Sequence, residues 1–248
     1  MWQLFVVVVM TLVYYGVQDW LCRAKLPVLW TLFLLVPLAL TPYWFNVNSF
    51  DLFAWVKTYS IMFCLCWGGL LRFTALGDKP WLRRSIPLLL MANILEALIL
   101  EVQGQGLAHI LNALAGMILI ATVPFSMKHT HIDRASRHQT LRYNAPLAWI
   151  CGYSIWNWTF VYLNYPEFTG HHTAVLSAAL IVASSDPQRW LQARASTLGV
   201  NLLFMATSYS GTLAVSNATT WFNGVTLDHS WCRQGDQCHA RGRSARTG

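Results

Sequence analysis

Lys57 stands inside the mostly apolar stretch DLFAWVKTYSIMFCLCW (51–67), and Glu96 stands inside a second one, MANILEALILEVQGQG (91–106). Ionisable groups in such sequence are costly when alone; they usually face an interior and pair. An ammonium–carboxylate pair of this kind can act as a switch, in which a substrate or a proton competes for one partner. The carboxylate by itself could serve as a general acid or base. More polar groups recur around the two at helical spacing. Asn93, Glu96 and Gln103 share one face of their segment. GLAHILNALAG aligns His109, Asn112 and Gly116, YSIWNWTFVYLNYP aligns Tyr153, Asn157 and Asn164, and GHHT adds His171 and His172.

Composition says what kind of element positions these groups. Of 248 residues, 55% are hydrophobic and 11% charged, a balance that belongs to a membrane rather than to a water-soluble domain. A helix needs roughly 20 residues to cross the hydrocarbon core, and apolar runs near that length recur down the chain. We expect an all-α, polytopic transmembrane helical bundle over 1–215, with eight spans at about 2–18, 26–45, 51–71, 86–103, 107–126, 146–165, 172–185 and 192–212. HTAVLSAALIVASS, the seventh, falls short of a full crossing, so seven spans is the alternative. The first run lacks a basic leader and a small-residue cleavage site, and reads as a retained helix rather than a signal peptide.

Lys and Arg gather on alternate connections. One set holds Arg23 and Lys25; Arg72, Lys79, Arg83 and Arg84; Lys128, Arg134, Arg137 and Arg142; and Arg189 and Arg194, whereas 46–50, 104–106 and 166–171 hold none. The positive-inside rule makes the basic set cytoplasmic and, with eight spans, puts both termini outside. The net charge of +7 is then mostly topology. No nucleic-acid partner is expected, although KHTHIDRASRHQTLR (128–142) could touch anionic lipid headgroups. In this orientation Lys57 and Glu96 both lie about 10 Å below the outer surface, at about 1.5 Å per residue, and we expect them to form an ion pair.

The segment 216–248 changes character and reads as a polar, disordered tail. Its Cys232 and Cys238 could close a disulfide in an oxidising compartment; with His229 and His239 they make a cluster whose spacing matches no zinc module. His109, His171 and His172 with Glu96 or Glu101 carry donor types suited to zinc, iron or copper. Adjacent histidines are badly placed to share one ion, however, so no metal site is expected, and no cofactor is specified. The chain has no Gly-x-Ser-x-Gly, Walker loop, His-Glu-x-x-His or aspartate-rich prenyl-diphosphate motif, and no lysine in the last two spans to carry retinal.

Together, FAWVKTYS, ANILEA, LNALAG and WNWTFVYLNYP resemble the motifs of an uncharacterised bacterial integral-membrane family, a domain of unknown function, over roughly residues 50–210. The resemblance implies a multi-helix bacterial inner-membrane protein in which Lys57, Glu96, Asn112, Asn157 and Asn164 occupy the motif positions. It brings no activity with it. That family continues into further hydrophobic sequence where this chain has its Cys- and Arg-rich tail, which leaves the completeness of the last helix open.

The expected function is to bind, and to transport, a small polar or amphipathic molecule within the bilayer, through a polar cavity lined by Lys57, Glu96, His109, Asn112, Asn157 and Asn164. Two other classes stay open. One is a membrane-embedded enzyme acting on a lipid or quinone-like substrate, with Glu96 or a histidine as acid or base. The other is a structural or assembly subunit whose ion pair orders the bundle.

Overall fold

The structure is a computed structural model that describes residues 2–48, 50–126 and 129–207; the tail cysteines and histidines lie outside the described residues. Eight long helices account for most of what is described: α1 (Trp2–Arg23), α2 (Leu26–Val47), α3 (Leu52–Phe73), α4 (Ser85–Glu101), α5 (Leu107–Ala121), α6 (Leu147–Asn164), α7 (Thr169–Ser185) and α8 (Trp190–Thr207). The fold class is all-α. By length and composition three of these helices, α1, α2 and α3, can cross a membrane, and α5 is apolar but shorter. On the outward faces of α1, α2 and α5, Phe5, Leu12, Leu38 and Ile118 are each more than half exposed, at 58, 61, 58 and 62%. Apolar surface on that scale suits lipid tails and is rarely left bare on a water-soluble monomer.

α7 is the buried axis of the bundle. Eleven of its 17 residues are buried, and it packs against α1, α6 and α8. Ala174, Ala178 and Ala179 let those neighbours approach closely, because a small side chain keeps backbones near one another. This explains why the segment reads as the weakest span: a helix with neighbours on most sides needs no broad apolar stripe for lipid. α2 is shaped instead by proline. Pro37 has no N–H to return to the preceding turn, and just before it, over Thr31–Leu35, the helix widens to π register, with Val36 N–H bonded to Thr31 O.

The basic loop read from sequence as a topology signal is folded. Thr130–Ile132 (β1) pairs antiparallel with Leu141–Tyr143 (β2), Thr130 opposite Tyr143. Arginines stitch this hairpin to the bundle. Arg72, at the end of α3, donates to Cys22 O at 2.6 Å, His138 O at 2.9 Å and Gln139 O at 3.1 Å. Arg134 reaches back to Asp78 and Thr74 O, and Arg142 pairs with Asp186 at 2.9 Å. These side chains therefore hold the hairpin to the protein.

Each bond from a charged donor contributes about 1.5–3 kcal/mol, so Arg72→Met should undock the hairpin. The expected result is faster amide exchange over 130–143 and a lower melting temperature; exchange matching the wild type would show that other contacts carry the hairpin.

Candidate functional site

The polar residues singled out in the sequence fall into separate clusters rather than one. The first joins α3 to α4. Asp51 caps α3 by accepting from Ala54 N–H at 2.7 Å, which sets the helix phase that points Lys57 at α4. The ammonium donates to Glu96 Oε2 at 2.8 Å, Asn93 Oδ1 at 2.7 Å and Asn93 O at 3.2 Å. An ammonium has three protons, and all three are used. Ser60 Oγ also donates to Glu96 Oε2, at 3.3 Å, and Asn93 Nδ2 donates to Tyr153 OH at 3.2 Å, tying the cluster to α6.

The second cluster sits at the α4–α5 turn. Glu101, 1% exposed, receives His109 Nδ1 on Oε2 and Asn112 Nδ2 on Oε1, each at 2.6 Å. Asn112 O in turn accepts from Trp156 Nε1 at 2.9 Å. His109 and Asn112 were expected to face the same cavity as Lys57; here they serve Glu101 instead. The turn must stay small for this to happen, since a Cβ added to Gly104 would collide with the His109 ring at Nδ1.

The third cluster was only partly foreseen. Asn157 Oδ1 accepts from His172 Nε2 at 2.6 Å and from Arg194 Nη2 at 2.8 Å. An amide oxygen has two lone pairs, so both donors are served, and the imidazole carries a proton on Nε2. Arg194, counted from sequence among loop charges, is the fifth residue of α8 and 3% exposed. Its Nε and Nη1 have no hydrogen-bond partner among the described residues. The signal that could have found it is the one that found Lys57, a lone basic residue entering an apolar run. Asn164 stands apart, donating to Phe160 O of its own helix at 2.9 Å.

Between α3, α4, α6, α7 and α8 lies a cavity of about 280 Å³. Lys57, Asn93, Asn157, His172, Arg194 and Asn201 supply its polar lining, and Phe53, Phe160, Val161, Phe168, Leu202 and Met205 its apolar walls. It reaches the turns at the α3 N-terminus, where Asp51 and Glu167 border it. A smaller cavity of about 100 Å³ lies on the hairpin side, bordered by Arg72, Leu141 and Gln192. The two share Asn93, Arg194 and Leu198. Of the six residues expected to line one cavity, Lys57 and Asn157 line the larger one, Glu96 holds Lys57 from behind, and His109, Asn112 and Asn164 are elsewhere.

The profile of the family of unknown function DUF5692 matches residues 1–220. The chain belongs to DUF5692. The match takes in all eight long helices and all three clusters, and extends well beyond the stretch whose motifs carried the resemblance. No curated protein and no solved structure matches this DUF5692 chain. Among its described residues no group of three or more His, Cys, Asp or Glu converges as metal ligands would.

Gly104→Ala should drive the His109 ring off Glu101 and leave a buried carboxylate short of a donor, a loss on the scale of about 3–5 kcal/mol for a broken buried pair. Gly68, where an added Cβ meets nothing within 4 Å, is the control. Equal melting temperatures for Gly104→Ala and Gly68→Ala would contradict the assignment.

Proposed function

We propose that this chain is an eight-span bacterial inner-membrane protein, with both termini outside the cytoplasm, that binds and carries a small molecule in the cavity between α3, α4, α6, α7 and α8. The observation behind this reading is the cavity itself. Its volume of about 280 Å³ is near the lower end of ligand pockets, roughly 300–1,000 Å³. It also combines apolar walls with a few converging polar groups, the usual make-up of a small-molecule site. The charge asymmetry of the connections supports a mouth on the outer side.

Within this reading Lys57 and Glu96 act as the clasp that a bound molecule loosens. A ligand that draws Asn93 or Lys57 away from Glu96 favours a different packing of α3 on α4, and the shift can be no larger than the ligand's differential affinity for the two packings. A purely structural role for the clasp has support of its own, because all three Lys57 donors are already satisfied. An enzyme would need a free base. Glu96 is held by Lys57 and Ser60, His109 by Glu101 and His172 by Asn157, so each would have to give up a partner before taking a proton.

Ala54 borders the cavity on α3. In a cysteine-depleted background, Ala54→Cys should react with a membrane-impermeant thiol reagent added to intact cells from the periplasmic side. Reaction only from the cytoplasmic side, or none from either, would overturn a water-filled cavity open to the outside.

A further inference from the structure

Arg194 is the one member of the three clusters whose bonding capacity is largely unspent. A guanidinium offers five N–H donors; among the described residues one hydrogen bond, from Nη2 to Asn157 Oδ1, engages this one, with the Tyr153 side chain also against it. Among the described residues Nε and Nη1 have no hydrogen-bond partner and no ion pair includes Arg194. A buried charge held this way lacks the counter-ion that such groups ordinarily require. Lys57, on the same cavity, is spent on Asn93 and Glu96. Arg194 is therefore the cationic group of the cavity lining left open to an incoming molecule, and it borders both cavities.

We propose that the cavity takes a small amphipathic anion whose oxyanion head, a carboxylate or a phosphate, docks on Arg194 while its apolar body lies along the aromatic wall. Arg is suited to the task because its planar donors match the geometry of such heads. Phe53, Phe160 and Phe168 supply the surface for the body. Asp51 and Glu167 border the mouth, so selection for an anion occurs at the guanidinium rather than by attraction from a distance. A head seated there would lie against Arg194, Asn93 and Leu198, the residues that border both cavities. The inference rests on the binding reading given under Proposed function.

The experiment measures binding to the full-length protein in lipid nanodiscs, by thermal shift and intrinsic tryptophan fluorescence. The probes share an aryl or short alkyl body and differ in the head: carboxylate, phosphate monoester, primary amide and amine. The expected result is that a carboxylate or phosphate binds about tenfold or more tightly than its matched amide, and the two acid arms tell which head is preferred. Arg194→Met should abolish that preference, with acid and amide binding alike, and Arg194→Lys should keep its direction at reduced affinity. An amide or amine binding as well as the acid, or an unchanged preference in Arg194→Met, overturns the anion assignment and leaves the binding reading standing. If no probe of any charge binds the wild type, both fall together.

Discussion

A charge moved into an apolar medium must find a partner, and this constraint organises the whole bundle. Glu101 meets it with His109 and Asn112, and Lys57 meets it with Asn93 and Glu96. Both solutions cross from one helix to the next, so satisfying the charge also sets how α3 lies on α4 and α4 on α5. An ion pair is not a cheap way to fasten helices, since the desolvation penalty offsets much of the Coulomb gain. What it supplies is definition, because the helices must adopt a phase that brings the partners within bonding distance. Arg194 departs from the pattern, because it has no counter-ion among the described residues.

The geometry around Arg194 depends on small residues elsewhere. The alanines of α7 draw α1 and α8 inward, and at Gly199 on α8 an added Cβ would collide with Leu65 and press on Phe33. Close approach there brings α8 onto α3 and lets Arg194 reach Asn157 across α7. At the other end of the molecule, the hairpin and the arginines of α3 and the loops close the bundle with hydrogen bonds to backbone oxygens. Cationic side chains thus take three kinds of place here: Lys57 clasps two helices, Arg72 docks a hairpin, and Arg194 lines a cavity with two nitrogens that have no partner among the described residues.

The helices were the legible part of the sequence, because apolar length is a property of the segment itself. Runs read at 26–45 and 107–126 correspond to Leu26–Val47 and Leu107–Ala121. The Lys57–Glu96 contact could be anticipated from depth alone, since antiparallel helices at a fixed rise per residue bring equal depths together. Depth does not give azimuth. His109 and Asn112 share a height with Lys57 in that scheme yet face Glu101, because the glycine turn at 104 lets the His109 ring fold back onto α4. Arg194 was concealed for a related reason: a basic residue near a helix start looks like a loop charge until the structure shows it pointing inward. The hairpin was hidden in a segment whose strands are three residues each, too short for alternation to register.

The measurement that bears most directly on this account compares the ligand-free melting temperatures of Lys57→Met and Arg194→Met with wild type, in the same nanodiscs. Lys57→Met strands Glu96, whose side chain is 22% exposed, and should melt earlier, by a part of the roughly 3–5 kcal/mol that breaking a fully buried pair costs. Arg194→Met removes a buried charge that has no counter-ion among the described residues, and should melt with the wild type or above it. An Arg194→Met protein that melts as early as Lys57→Met would make Arg194 another clasp, and the distinction between closed clusters and an open site would be wrong.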